Sequence, residues 1–381
     1  MNLPAGEPEL SERLSELHGL AQIREAAEST KVYLVGGAVR DLLLGKGRAD
    51  VDVVVEGDVD GLASRLGGTA VHHERFSTAT VEIQGLAVDL AAARSETYAE
   101  PGALPVIEPA DLAVDLGRRD FTVNAMAVPL QDEARVIDNA GGQADLEAQL
   151  IRVLHPASFV DDPTRALRAA RYAARLGFEL ESETEQLVRR TELKTVSSER
   201  IEAELMKLCA EPQAAVALGL LSEWGLIELR PGALERVQAL ADLLGDPRWM
   251  EVAEPALAVH AAAFGHAPGV AGRLRDLLES ASALNSAAPT LPSKAVAAAE
   301  GRPGVELALA RTMGAEWLDN YVTEWRNVAL EITGADLRDA GVPEGPALGR
   351  GLAAALQQKL DGEVSGRDAE LAAALAAAQG T

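Results

Sequence analysis

The run LVGGAVRDLLLGKGRADVDVVVEGD, residues 34 to 58, constrains the fold more than any other part of the chain. β-branched residues come before a pair of glycines, a leucine-rich run follows the pair, and a valine-rich run closes the segment. This pattern predicts a strand, a tight turn, a helix and a second strand, over residues 32–35, 36–37, 38–44 and 51–55. Such an alternation is typical of an α/β domain.

Alternating apolar residues and turn residues predict further elements in the first third of the chain. These elements are a helix at Pro8–Ala27, strands at 70–73, 79–83 and 87–90, and a hairpin turn at Gln84-Gly85. The stretch Pro101–Pro109 holds three prolines and a glycine, which predicts a loop without regular structure.

The pattern changes at Asp162, after which apolar residues recur every three or four positions. This spacing predicts helices. Glycine and proline are expected to interrupt them near positions 177, 212, 231, 247, 268 and 303. We therefore expect the 381 residues to fold as an α/β head followed by an all-helical remainder.

Composition limits the class of protein. No apolar run is long enough to cross a bilayer, the N-terminus carries early acids rather than an apolar stretch, and Cys209 is the one cysteine. These features predict a cytoplasmic protein without a signal peptide, an internal disulfide or a cysteine-based zinc site. The formal net charge of −24 argues by itself against a nucleic-acid partner. Screening limits each charge to about 8–10 Å, however, so local phosphate-binding groups are compatible with it.

Two acids one residue apart, Asp50 and Asp52, lie in the valine-rich run. Because the side chains of a strand alternate, both carboxylates are expected on one face. Two anions so close need a cation or a shared proton, and Mg²⁺ commonly takes one or two carboxylates plus phosphate oxygens. The pair therefore predicts a magnesium site. Asp89, in another apolar run, is a candidate third acid, either a base near an attacking hydroxyl or a second metal ligand.

The glycine pair has a matching role. Gly36 and Gly37 let backbone N–H groups approach a polyphosphate at a helix N-terminus, and Arg40 could bind the same phosphates. Taken singly, a Gly-Gly pair is most often a tight turn and an Asp-x-Asp pair a solvated strand face. Together, in this order, they favour a nucleotide site. A Rossmann site is disfavoured because residues 36–41 lack the Gly-x-Gly-x-x-Gly spacing.

Further motif-like stretches follow GGAVRDLLLG and DVD along the chain. They are RRDFTVNAMA (118–127), DDPTRALRAARYAARLGF (161–178), SSERIEAELMKL (197–208) and ITGADLRDAGVPEGPALG (332–349). In this order the five segments resemble the motifs of the class II tRNA nucleotidyltransferase and poly(A) polymerase family of the polymerase-β superfamily. The resemblance extends from about residue 30 to 350 and so covers most of the chain.

The resemblance implies a fold and an activity. The fold would be an α/β nucleotidyltransferase head, with a mixed sheet and flanking helices, before an all-helical neck, body and tail in an elongated, seahorse-like shape. The implied boundaries are 1–140 for the head, 141–210 for the neck with its nucleotide-selecting helix, 211–320 for the body and 321–381 for an RNA-binding tail. The implied substrates are ATP, CTP and the tRNA 3′ end. The implied reaction is in-line nucleotidyl transfer with two Mg²⁺ ions and release of pyrophosphate, with neither a membrane nor an obligate protein partner.

The positions of residues in these motifs imply their roles. The metal ligands would be Asp50 and Asp52. The triphosphate residues would be Gly36, Gly37 and Arg40. The sugar and phosphate residues would be Arg118, Arg119, Asp120 and Asn124. The base-selecting residues would be Asp162 and Arg165, and the rest of the nucleotide-binding set would be Arg168 and Arg171.

Base selection also has a physical rationale. Cytosine and adenine both present an amine beside a ring-nitrogen acceptor, which a carboxylate and a guanidinium would match. Asp162 and Arg165 are three residues apart, so we expect them on one face in the first turn of a helix that begins near Pro163. Guanine and uracil present the reverse pattern, and such a mismatch gives discrimination of about 10⁴-fold. In isolation the pair would indicate only a helix salt bridge.

Two departures from the family pattern leave the product open. Asp161 stands where the family usually has Glu, and the loop Ser95–Gly117, which helps the family switch from C to A addition, contains no Lys or Arg. Addition of CC only or of A only is therefore compatible with the sequence. The alternatives are a poly(A) polymerase acting on general RNA 3′ ends and a non-catalytic RNA-binding scaffold. RNA contacts are expected from arginines of the helical part, such as Arg189, Arg190, Arg273 and Arg275.

Overall fold

The computed structural model of the protein describes residues 7–17, 19–46, 51–67, 70–73, 78–83, 85–132, 134–268 and 276–379. Several residues that carry predictions lie outside these ranges: Asp50, Gln84, Arg273 and Arg275.

The elements within these ranges alternate first and are then almost entirely helical. The helices are α1 Glu7–Ser15, α2 Leu20–Ala27, α3 Gly37–Leu43, α4 Val59–Leu66, α5 Leu112–Gly117, α6 Gly142–Ala148, α7 Ser158–Asp161, α8 Thr164–Leu176, α9 Ser182–Val188, α10 Ser198–Cys209, α11 Ala214–Glu223, α12 Ala233–Leu244, α13 Pro247–Met250, α14 Pro255–Phe264, α15 Leu277–Ala287, α16 Pro292–Ala299, α17 Gly304–Thr312, α18 Trp317–Thr323, α19 Gly334–Asp339, α20 Pro346–Leu360 and α21 Arg367–Gln379. The strands are β1 Lys31–Val35, β2 Val51–Glu56, β3 Ala70–His73, β4 Thr78–Ile83, β5 Leu86–Ala92, β6 Arg94–Thr97, β7 Val106–Pro109, β8 Met126–Pro129, β9 Ile137–Asp138, β10 Leu150–Ile151 and β11 Glu179–Leu180.

Seven of the described strands form one mixed sheet in the order β3-β4-β5-β2-β1-β8-β9. Within it, β2 and β5 run parallel and the other neighbours are antiparallel. The central position of β2 explains its valine-rich sequence, since both faces of a central strand are covered. The sheet thus places β2, the strand that carries Asp52, between β1 and β5.

The predicted strand–turn–helix–strand unit is present. β1 ends at Val35, Gly36 turns the chain with a φ of +69°, and α3 follows directly. Val35 and Val54 belong to one apolar core cluster with Leu116. Removing each such side chain from water stabilises the fold by about 1.5–3 kcal/mol. The core therefore fixes the strand end from which the glycine turn departs.

The chain divides into two compact units. Unit 1 is Met1–Glu204 with Leu220–Leu226 and contains the mixed sheet, whereas unit 2 is Leu205–Gly219 with Ile227–Thr381 and is helical throughout its described part. The predicted α/β head followed by a helical remainder is therefore confirmed. The finer division into head, neck, body and tail stays a prediction. Among the described residues, no helix combines the length and the apolar character needed to span a membrane.

The predicted continuous helix over Pro8–Ala27 is wrong. α1 ends at Ser15 and α2 begins at Leu20. Gly19, directly before α2, has a φ of +85°. Glycine adopts this left-handed conformation without a Cβ clash, and a residue in it cannot continue a right-handed helix. A single glycine therefore divides what the apolar spacing predicts as one helix.

The predicted loop over Pro101–Pro109 is wrong in its second half. Val106–Pro109 forms β7 and pairs antiparallel with β6. Pro109 lies at the last position of the pairing, opposite Arg94. Proline lacks an N–H but is tolerated at strand ends and edges. Pro105 and Pro109 therefore mark the two ends of β7, whereas Pro101 lies in the connection between the two strands.

Candidate active site

A polar cavity of about 400 Å³ in unit 1 brings together most of the predicted site residues. Its volume lies in the range typical of small-molecule sites. The predicted residues that line it are Gly36, Gly37, Asp52, Arg118, Arg119, Asp120, Asn124, Asp162, Arg165 and Arg168. The lining residues that were not predicted are Glu96, Tyr98, Pro105 and Tyr172. The predicted residues that do not line it are Arg40, Asp89 and Arg171.

The glycine turn approaches charged groups of both signs. A Cβ at Gly36 would lie 2.8 Å from Nη1 of Arg119 and 4.0 Å from Oδ2 of Asp52. Both this close approach and the φ of +69° require glycine at the position. The turn thus brings a guanidinium and a carboxylate to one point, where an anionic ligand and a cation can bind together.

Asp52 and Asp89 lie side by side on neighbouring parallel strands. The register of β2 and β5 places Asp52 opposite Asp89, so both side chains leave the same face of the sheet. Asp52 is half-buried, whereas Asp89 is exposed and accepts a 2.6 Å hydrogen bond from Oγ1 of Thr80. No group of three or more potential metal ligands forms within the described ranges, which exclude Asp50. The carboxylate oxygens that are described are of the kind that a hard divalent cation prefers.

Arg40 is enclosed by other side chains rather than exposed to the cavity. It is 2% exposed, and it donates to Asp41 at 2.8 Å and to Oδ1 of Asn124 at 2.6 Å. Its guanidinium lies 5.3 Å from the centroid of the Tyr172 ring. The predicted phosphate contact does not fit this position. Arg40 instead supports Asn124, which does line the cavity.

Asp120 is the acceptor at the centre of a hydrogen-bonded network. Its carboxylate accepts from its neighbour Phe121 N–H at 2.9 Å, from Nδ2 of Asn124 at 3.0 Å and from Nε of Arg168 at 3.2 Å. Burial raises the pKa of Asp120, but Arg168 and Asn124 together lower it by more than burial raises it. The pKa therefore lies below its ordinary value. Asp120 is therefore an anion at neutral pH, and it fixes Asn124 and Arg168 at the cavity.

The predicted helical pairing of Asp162 with Arg165 is wrong. Asp162 has an extended backbone, with a φ of −135°, and Pro163 caps α8, so Asp162 lies before the helix and not on its face. Its side chain accepts from the N–H and the hydroxyl of Thr164, at 3.1 and 2.6 Å. The Asp162 side chain thus binds donors at the start of the helix from one residue before the cap. Both Asp162 and Arg165 nevertheless line the cavity.

The ion partners of Asp162 are Arg168 and Arg200. Arg168 contacts Oδ2 at 3.3 Å and Arg200 contacts Oδ1 at 2.9 Å. Burial raises the pKa of Asp162, but Arg168, Thr164 and Arg200 together lower it by more than burial raises it. The pKa therefore lies below its ordinary value. Arg200 also donates to the carbonyl of Gly102 at 2.7 Å. Arg200 belongs to the motif at 197–208, for which no site residue was predicted.

Arg165 is held by neutral oxygens. It is 3% exposed and donates to Oγ of Ser158 at 2.6 Å and to the carbonyl of Arg118 at 2.7 Å. Its buried Nε has no hydrogen-bond partner among the described residues. An unsatisfied buried donor is costly. Arg171, in contrast, stacks on the Tyr172 ring at 4.8 Å and lies away from the cavity lining.

Glu96 and Tyr98 are two of the four lining residues that were not predicted from the sequence. Oε1 of Glu96 accepts from Arg94 at 3.1 Å and from Arg118 at 2.7 Å, and Oε2 accepts from the Tyr98 hydroxyl at 3.0 Å. Burial and the Glu96 carboxylate raise the pKa of Tyr98 to about 12. Arg94, Glu96 and Tyr98 alternate along the chain, which on a strand places them on one face. This signal was missed because the segment was not predicted as a strand.

Comparisons with known proteins agree with this fold. Residues 32–152 match a family model described as the poly A polymerase head domain, and residues 177–232 match one described as the probable RNA and SrmB-binding site of polymerase A. The first of these matches indicates the class of the poly A polymerase head domains for residues 32–152. A CC-adding tRNA nucleotidyltransferase of Deinococcus radiodurans is 36% identical over 91% of this chain and 89% of its own length. The chain belongs to the class II tRNA nucleotidyltransferase and poly(A) polymerase family.

Other relatives and solved structures extend the comparison. An A-adding tRNA nucleotidyltransferase of Geobacter sulfurreducens is 33% identical over 89% of this chain. The chain spans less than half of the length of this and two other A-adding relatives. The Thermotoga maritima CCA-adding enzyme complexed with tRNA matches with a TM-score of 0.73 and 28% identity over 99% of both chains. CCA-adding enzymes in complex with ATP and with CTP match with TM-scores of 0.76 and 0.75, at 28% and 27% identity, over 99% and 100% of both chains.

Proposed function

We propose that the protein is a tRNA nucleotidyltransferase that adds C, A or both of the 3′-terminal CCA, with CTP and ATP as substrates. One observation carries the proposal: a single cavity is lined by two groups of residues with complementary chemistry. The glycine group is Gly36, Gly37, Asp52 and Arg119. The Asp162 group is Asp162, Arg165 and Arg168, with Arg200 behind it.

The glycine group would bind the triphosphate. Backbone N–H groups at the turn and the Arg119 guanidinium would contact phosphate oxygens. Asp52 would hold Mg²⁺, with Asp50 as a second ligand and Asp89 as a further ligand or as the base for the RNA hydroxyl. When bound, two Mg²⁺ ions would offset negative charge on the attacking and leaving oxygens. The RNA 3′ oxygen would form a bond to the α-phosphorus as the bond to pyrophosphate breaks.

The Asp162 group would select the base. Oδ1 of Asp162 already accepts from the Thr164 N–H, the Thr164 hydroxyl and Arg200, whereas Arg168 is the one donor to Oδ2 within the described part of the chain. A lone pair of Oδ2 would therefore accept from the amine of cytosine or adenine. Arg165 would donate to the ring nitrogen, and its unsatisfied Nε supports this role. The depressed pKa of Asp162 keeps the carboxylate an acceptor at neutral pH.

The acceptor RNA would be tRNA. This part of the proposal is supported by relatives named as CC-adding and A-adding tRNA nucleotidyltransferases, which match to similar degrees. Because relatives of both kinds match, the proposal includes C addition, A addition or both. The net charge of −24 implies that RNA binding depends on local cationic groups rather than on the overall field.

The test is nucleotide addition to tRNAs that end before CCA, after C and after CC, with each nucleoside triphosphate supplied separately. The proposal predicts Mg²⁺-dependent addition of C to the first two substrates, of A to the third, or of both, and then a stop. Continued addition of A would indicate a poly(A) polymerase instead. Absence of any incorporation, together with absence of Mg²⁺-dependent binding of CTP or ATP, would contradict the proposed activity.

A further inference from the structure

A fully buried carboxylate lies behind the cavity, in a position that the proposed function does not use. Asp115, on α5, is 0% exposed. Its Oδ1 accepts from Nε and Nη2 of Arg118, at 3.0 and 2.6 Å. Its Oδ2 accepts from Nε and Nη2 of Arg119, at 3.3 and 2.9 Å. Each oxygen of one carboxylate therefore holds one of two adjacent arginines that line the cavity.

The two arginines differ in what else they contact. Arg118 also donates to Oε1 of Glu96 at 2.7 Å and to the carbonyl of Arg94 at 3.2 Å, so two carboxylates share its charge. Among the described residues, the Arg119 side chain donates hydrogen bonds to Asp115 alone. The Nη1 of Arg119 is the group that a Cβ at Gly36 would meet at 2.8 Å. Arg118 is thus fixed within the protein, whereas Arg119 presents one end to the glycine turn.

We propose that Asp115 is a positioning residue for phosphate binding. Its Oδ2 holds Nε and Nη2 of Arg119 so that Nη1 faces the Gly36 turn, whereas its Oδ1 binds Arg118, which has a structural role. The inference rests on the proposed function, because it specifies how the same cavity binds a triphosphate. The sequence spacing explains why one carboxylate reaches both arginines. Arg118 and Arg119 follow Asp115 by three and four residues, so on a helical turn at the end of α5 both lie on its face.

The physical reason is that a guanidinium binds an anion best when its fork is held in place. Two neighbouring arginines repel each other, and the shared carboxylate offsets both charges. An Asp115→Asn variant keeps the size of the side chain but removes its charge and replaces one acceptor oxygen with an NH₂ donor. Because Oδ1 also accepts from the Arg94 N–H at 3.3 Å, we expect the amide oxygen to keep that position and the NH₂ group to face Arg119, so that the fork that faces Gly36 is no longer held.

The test compares Asp115→Asn with Glu306→Gln, a matched control in unit 2. Glu306 is also 0% exposed and pairs with an arginine, Arg302. The probes are CTP, tripolyphosphate, which carries only phosphate groups, and cytidine, which carries none.

For Asp115→Asn we expect the KM for CTP and the inhibition constant of tripolyphosphate to rise together, by about 10- to 100-fold. We expect inhibition by cytidine and the preference for CTP over UTP to change by less than about twofold. Glu306→Gln is expected to lower the melting temperature alone.

A double variant tests whether Asp115 acts through Arg119. If it does, Arg119→Lys combined with Asp115→Asn raises the KM for CTP no more than the worse single variant. Multiplied losses would overturn the inference, as would equal losses for tripolyphosphate and cytidine, since both outcomes indicate a purely structural role. If the wild-type protein incorporates no nucleotide but binds tripolyphosphate, the proposed function fails and the inference is decided by tripolyphosphate binding. An unchanged dissociation constant in Asp115→Asn would then contradict it.

Discussion

The glycine group and the Asp162 group line the same cavity but are built in different ways. The glycine group depends on backbone: a φ of +69° at Gly36 and the strand register that carries Asp52. The Asp162 group depends on side chains that hold one another, with Arg168 joining Asp120 to Asp162 and Arg200 joining Asp162 to a loop carbonyl. Gly36, Gly37 and Asp52 are close in the sequence and Arg119 joins them from farther along the chain, whereas in the Asp162 group Arg168 and Arg200 converge on one carboxylate.

This difference indicates which variants should change the rate of nucleotide addition and which should change the selectivity among nucleotides. All four nucleotides carry the same triphosphate, so changes in the glycine group should slow every nucleotide equally. The nucleotides differ in their bases, so changes in the Asp162 group should alter the choice among them. A buried network also restricts movement, because each member loses a partner when another shifts. The comparison therefore predicts two separable kinds of variant.

The largest effect is expected for Asp52→Asn. Loss of the carboxylate that we propose as a metal ligand should remove several kcal/mol of transition-state stabilisation, which corresponds to a loss of about 1000-fold or more in incorporation. The loss should be equal for each accepted nucleotide, and the melting temperature should change little. Glu82→Gln, at an exposed carboxylate on β4 of the same sheet, is the matched control. Near-normal turnover by Asp52→Asn in single-nucleotide assays would remove the metal assignment.

A smaller effect, on selectivity rather than on rate, is expected for Arg165→Ala. Discrimination between CTP and UTP should fall from about 10⁴-fold towards 10²-fold, since the variant cannot penalise a mismatched base edge. The measurement is kcat/KM for all four nucleotides. Arg175→Ala, on the same helix but outside the cavity lining, should retain the wild-type ratios. Unchanged selectivity in Arg165→Ala would contradict the separate role of the Asp162 group in base selection.

The Asp162 group should also give the protein a pH-dependent stability. Asp120 and Asp162 have pKa values below the ordinary 3.8. A depressed pKa contributes stability that is present above 3.8 and is lost as the pH falls through the lower folded value. The urea midpoint should therefore fall as the pH is lowered from about 5 to 2. Arg168→Gln should lower the midpoint at pH 5 and reduce this dependence, because the main cation beside both acids is gone. Parallel pH profiles for the two proteins would contradict the account.

The smallest effects are expected outside both groups. Arg189 already pairs with Glu185 and Glu223, both at 2.7 Å, whereas Arg190 borders a second cavity beside Phe159. If Arg190 contacts a tRNA phosphate, Arg190→Ala should weaken tRNA binding by about twofold to fivefold and reduce the slope against log salt by about one. Arg189→Ala should do less, because its charge is already offset. Nucleotide selectivity should not change in either variant, which separates RNA binding from both groups of the cavity.

The sequence predicts the glycine group better than the Asp162 group. Gly36, Gly37 and Asp52 follow from strand period and turn chemistry, which are local properties. The α/β head and the helical remainder follow from apolar spacing in the same way. The geometry of Asp162 does not, because Pro163, two residues before Arg165, caps α8 and leaves Asp162 outside the helix.

Tertiary partners account for the other differences. Arg40 has the sequence position of a phosphate ligand, yet Asp41 and Asn124 enclose it. Glu96 lies on a strand ribbon that the prolines conceal in the sequence, and from there it pairs with Arg118 at the end of α5. Such pairings depend on which elements pack together, and no spacing rule specifies them.

The most direct test of the central claim is a crystal structure of the protein with CTP and magnesium. The account predicts the triphosphate at the Gly36-Gly37 turn, magnesium bound by the Asp52 carboxylate and the cytosine amine within hydrogen-bond distance of Oδ2 of Asp162. Density for the nucleotide or the metal elsewhere on the protein, with this cavity vacant, would contradict it.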